Sequence, residues 1–161
     1  MNRLLRLVFF RSWHRAALLP LALAMMGAGA AQAQFSMLPT PAAGPSRESA
    51  AEIEKEYRID AARHLYTAYP GRIFRGKMPP LMYSVMVVET EIDAAGQVRG
   101  VVVVRKPAAD EVAPWVVSMI RSAGPFPVPA KLPGGSVRYV DIWLVDKSGQ
   151  FQVDTLTEGQ R

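Results

Sequence analysis

Few residues in this chain have side chains suited to chemistry. His64 is the single histidine after residue 33, and the chain has no cysteine. An imidazole can move a proton or ligate a metal, but a working site needs a nucleophile, a base and an orienting group, or several clustered ligands. His64 falls near the end of a predicted helix, where a cation is mildly favoured, and reads as a surface or cap residue. Glu89 and Glu91 stand two apart on a predicted strand and so share one side. Paired carboxylates can divide acid and base roles, yet a solvated strand face explains this pair more simply. Gly134 and Gly135 form a turn rather than a phosphate cradle, because no helix is predicted after them. The residues therefore predict no catalytic group, no metal site and no cofactor, and the expectation is a protein that is not an enzyme.

The elements that would position a site begin after a distinct N-terminal segment. Arg3, Arg6, Arg11 and Arg15 precede an apolar run over residues 16–31, which closes on Ala31-Gln32-Ala33. That order, basic then apolar then small, is the pattern of a secretory signal, with cleavage expected between Ala33 and Gln34. The competing reading is an uncleaved anchor, against which stand Pro20 and a run of about 16 residues where a span takes roughly 20. The expected location is the periplasm, with no stable membrane span after cleavage.

Charge follows the same division. The full chain has 19 Lys+Arg against 14 Asp+Glu, and removing the four leader arginines leaves 15 against 14. A mature chain of net charge +1 without clustered basic and aromatic residues predicts no nucleic-acid partner. Without cysteine, the domain must hold together by its core.

Three segments are expected: a signal over 1–33, a proline-rich linker over 34–48 and a domain over 49–161. Ser49 and Glu52 resemble a capping box for a helix over residues 46–66, with Ile53, Tyr57 and Ala61 or Leu65 on its apolar stripe. Tyr69-Pro70-Gly71 stops it. Residues 81–92 alternate as a strand, Asp93-Ala94-Ala95-Gly96 turns, and residues 98–104 return. Val101 to Val104 is unbroken valine, which predicts cover on both faces or a central place in the sheet. Val112, Trp115, Val116, Met119, Ile120 and Ala123 mark an amphipathic second helix, capped by Asp110 or Ala113. Residues 124–129 read as a rigid polyproline connector. Residues 137–145 form a third strand, with Val140, Ile142 and Leu144 on one face and Tyr139, Asp141 and Trp143 on the other; Phe151 and Val153 begin a possible fourth. The fold class is α+β: a small antiparallel sheet of three or four strands with two helices on one face, in the order α-β-β-α-β.

Three stretches in this order carry a resemblance: Tyr69-Pro70; Glu91-Ile92-Asp93-Ala94-Ala95-Gly96-Gln97-Val98-Arg99-Gly100-Val101; and Arg121-Ser122-Ala123-Gly124-Pro125-Phe126-Pro127. Together they resemble the TonB C-terminal domain family, related in fold to the C-terminal domain of TolA, over residues 60 to 156. The resemblance implies a periplasmic module that contacts envelope or outer-membrane proteins by adding a peptide strand to an exposed sheet edge. Unpaired edge N–H and C=O groups make that physically sound. The expected binding strand is residues 137–145, through Val137, Tyr139, Asp141, Trp143 and Val145, and such an edge would also admit a homodimer. The alternative is a membrane-anchored energy-transducer subunit with its leader retained. Against it, residues 34–49 reach only about 50 Å when fully extended.

Overall fold

The computed structural model describes Phe35, Thr40, Pro41 and residues 47–160. Ala31, Ala33 and Gln34, at the expected cut, lie outside the described residues, as does the leader.

Helix α1, Glu54–Ala68, starts later than its sequence pattern suggests. The capping box does not form. Ser49 Oγ instead donates to Asp60 Oδ2 at 2.7 Å and accepts the Ala51 N–H at 3.1 Å, while the Glu52 N–H donates to Glu56 Oε2 at 3.1 Å. Glu54 and Glu56 in the first turn favour the helix start electrostatically, although Ile53 at the N-cap makes no side-chain bond. The buried stripe is Tyr57, Ala61, Ala62, Leu65 and Ala68, whereas Ile53 is exposed. Tyr69-Pro70-Gly71 ends the helix as expected, in a short 3-10 turn over Pro70–Arg72.

Strands β1 (Ser84–Ile92) and β2 (Val98–Arg105) make the expected hairpin. Asp93 builds the turn by accepting the Gln97 N–H at 2.8 Å and the Ala95 N–H at 2.9 Å on one oxygen. Gly96 supplies the φ of 77° that a side chain would resist. The Gln97 bond, with help from Arg99 at 2.7 Å, holds the Asp93 carboxyl below the usual carboxylate range.

Helix α2 (Val112–Ser122) buries Val112, Trp115, Val116, Met119 and Ile120, the stripe read from the sequence. Glu111 takes the N-cap rather than Asp110 or Ala113, so Pro114 lies in the first turn, where its missing N–H breaks no helical bond. Strand β3 (Val137–Val145) then runs antiparallel to β1 over its whole length, from Val145 opposite Ser84 to Val137 opposite Ile92. Strand β4 (Phe151–Val153) pairs with the last three residues of β3. The sheet order is β2-β1-β3-β4, all antiparallel. Burial alternates along β1 and β3, so one face of the sheet lies under both helices and the fold is a two-layer α+β domain.

Two expectations about sheet position are corrected. The chain returns from α2 to the β1 side of the hairpin, so β3 is an inner strand and not an edge. The same choice leaves β2 on the outside. Its valines are neither central nor covered on both faces: Val102 is 56% exposed and Val104 is 60% exposed.

Candidate interaction surface

The five residues expected to grip an added strand, Val137, Tyr139, Asp141, Trp143 and Val145, share one face of β3, but that face is the one beneath the helices. All five are buried. Trp143 stacks on Phe151 with centroids 4.7 Å apart, and Tyr139 meets Tyr57 of α1 at 5.9 Å. Burial drives the Tyr139 phenol far above its ordinary value, as befits a core residue.

The outer side of β3 is covered piece by piece from Val140 to Val145. β4 covers Trp143 to Val145. Asp141 Oδ1 accepts the Ile142 N–H at 2.9 Å and the Thr155 N–H at 3.4 Å, and Arg58 Nη1 donates to the Val140 carbonyl at 3.2 Å. Burial pushes the Asp141 carboxyl up, and its hydrogen bonds and the charge of Arg58 offset only part of that. β4 is shielded in turn. Ile73 bridges Phe151 in parallel, the Phe74 N–H donates to the Phe151 carbonyl at 3.0 Å, and buried Gln152 donates through Nε2 to the carbonyls of Phe74 and Gly76, each at 2.8 Å.

Among the described residues no strand flanks β2 on its outer side. Pairing with β1 slips twice, between Val87 and Val88 and between Glu91 and Ile92. Between the slips, Gly100 to Val103 lie in unbroken register with Glu91 to Val88. Such irregularities are a common protection of edge strands, and here they leave a regular stretch of four residues. Val102 and Glu89 face away from the helices, with Val85, Val87, Val140, Ile142 and Leu144 on the same face of the neighbouring strands. Arg105 and Lys106 follow at the far end of β2, and neither has an ion-pair partner among the described residues, whereas Arg99 is paired with Asp93.

The residues with chemical potential are engaged structurally. His64 Nε2 lies 2.7 Å from the Ala123 carbonyl, to which a protonated nitrogen donates, and its ring is 4.8 Å from Phe126. The imidazole thus ties α1 to the end of α2. Glu89 and Glu91 share one guanidinium, with Arg138 Nη2 at 2.9 Å from Glu91 and Nε at 3.4 Å from Glu89. Gly134 and Gly135 both take positive φ in a 3-10 turn that leads into β3. No group of three His, Cys, Asp or Glu side chains converges on a metal position among the described residues, and none of the described helices is long and apolar enough to cross a membrane.

Sequence reasoning missed one residue altogether. Phe35, inside the expected linker, is 7% exposed and packs into the core. The far end of that linker is engaged too: Glu48 bridges Val128, and the Val128 N–H donates to the Arg47 carbonyl at 2.9 Å. Compared with known proteins, no family model, no curated protein and no solved structure matches the chain.

Proposed function

We propose that this chain is a non-enzymatic, periplasmic protein-binding module of the TonB C-terminal type, which takes an extended segment of an envelope or outer-membrane protein as an added strand. The observation that carries the reading is the open edge of β2, with exposed Val102 and Val104, in a sheet whose other side is shielded at β4 and along β3 from Val140 to Val145. Strand addition satisfies the unpaired backbone groups of that edge, and neighbouring apolar side chains set the preference. The leader pattern and the quoted motif order support the compartment and the family.

A second copy of β2 is a poorer fit in one register: two β2 strands laid antiparallel about Val102 would set Arg99 against Arg105 of the second copy, and like charges directly opposite destabilise a ladder. Retention of outer-membrane proteins by an immobilised mature domain starting at Gln34, followed by mapping of the captured segment, tests the proposal. Repeated failure to retain any protein overturns the proposal, as does a captured segment that leaves the amide exchange of β2 unchanged. The mass of the native N-terminus checks the leader: a chain that begins at Gln34 supports a released module and removes the anchored transducer.

A further inference from the structure

β4 pairs with β3 only from Trp143 to Val145, and among the described residues no strand lies beside Val137 to Ile142 on that side. Backbone groups of alternate residues point outward along an edge, so the Val140 carbonyl and the Ile142 N–H belong to one outward set. Side chains stand where a strand would. Arg58 reaches from α1 and donates through Nη1 to the Val140 carbonyl at 3.2 Å, while Asp141 Oδ1 accepts the Ile142 N–H at 2.9 Å. These are the bonds that a neighbouring strand would otherwise make.

Arg58 does little else for the fold. Its Nε is buried without a hydrogen-bond partner, and no carboxylate comes within ion-pair distance of it among the described residues. The cost of the orphaned Nε offsets the charge-assisted bond to Val140, so the residue is better explained by what it excludes than by what it stabilises. We propose that Val137 to Ile142 form a second strand-binding edge, held shut by Arg58, and that the strand it would take is β2 of another copy. Every copy carries β2 with an open outer side and with Gly100 to Val103 in regular register, a length that Val137 to Ile142 accommodate. Charge permits the union. Arg138, the cation on this part of β3, is already engaged by Glu89 and Glu91, so an arriving β2 with its free Arg105 meets no unpaired cation there once Arg58 is gone. Joining β2 to β3 is head to tail, so unguarded copies would add to one another without closing. Arg58 thereby keeps the domain a monomer and leaves β2 for a foreign strand. The inference rests on the reading of β2 as an edge that takes a strand.

The test is sedimentation equilibrium of the mature chain from Gln34 over a concentration series, with urea midpoints to confirm folding. Wild type should keep the monomer mass. Arg58→Met retains the apolar stem and removes every donor, and its mass should rise with concentration to at least twice that of the monomer. Arg58→Lys keeps a cationic donor and should stay monomeric. Adding Val102→Lys and Val104→Lys to Arg58→Met should restore the monomer, a reversal that aggregation through a loosened core would not show. A folded Arg58→Met that remains monomeric at every concentration overturns the guard and leaves the reading of β2 to its own test, as does a wild type that associates equally. Association that survives the two lysines overturns β2 as the strand that adds to β3.

Discussion

Replacing Val102 and Val104 by lysine should weaken strand capture about 30-fold without unfolding the domain. Complete burial of a valine is worth about 1.5–3 kcal/mol, and these two side chains keep 56% and 60% of their surface in solvent. About 1 kcal/mol per residue is thus unspent in the free domain and becomes available when a strand lies alongside. Losing both costs about 2 kcal/mol, or roughly 30-fold in affinity, and lysine adds a charged guard of the kind natural edges carry. Both positions are exposed, so folding stability should move by no more than about 0.5 kcal/mol. The assay has two arms, urea unfolding of the mature domain and a surface titration with an outer-membrane protein that the wild type retains. A double variant with a normal urea midpoint that binds the same partner within about threefold of wild type refutes the assignment of β2 as the binding edge.

Phe151→Ala should destabilise the domain by about 3–5 kcal/mol, because the ring is fully buried among Trp115, Trp143 and Tyr66; a urea midpoint lowered by less than half a molar unit, about 1 kcal/mol or less, would contradict that packing. Asp141→Asn should raise the melting temperature at pH 7. The folded carboxyl binds its proton more tightly than the unfolded one, so wild type loses stability as pH rises through the folded value, and the gap between the two proteins should close toward pH 4. No gain at pH 7 would mean that the Arg58 contact outweighs burial. Tyr69→Phe removes the buried hydroxyl that donates to the Met119 carbonyl at 2.8 Å and should cost about 1 kcal/mol, read by chemical denaturation. In an alkaline titration, Tyr69 should be the phenol pushed up to about 12 that disappears in this variant.

The elements were legible in the sequence wherever side-chain period and burial coincide. Met86, Val88, Thr90 and Ile92 alternate because only one face of β1 lies under the helices, and the α2 stripe from Val112 to Ile120 follows the same logic at helical spacing. The arrangement of strands was not legible, because β3 has apolar residues on both faces and nothing local decides which side of the hairpin it joins. Tyr139 and Trp143 read equally well as grip or as core, and inner placement makes them core. The valine run misled for a related reason: Val101 and Val103 pair with core-facing residues, whereas Val102 does not, and unbroken apolarity hides that alternation. Arg99, Arg105 and Lys106 around the run were the available signal of an edge. Phe35 escaped because a lone aromatic in a proline-rich stretch has no period, and its slot is assembled from residues far along the chain.

The shielding of β4 by Ile73, Phe74 and Gln152 has a consequence for the proposed binding. A sheet with two free sides propagates, each added strand offering a new side to the next molecule. If β2 takes a strand as proposed, closure at β4 gives the domain a valence of one: it would end a row of strands contributed by another protein without linking two rows. Crowded domains of that kind would yield one-to-one pairs and no fibres.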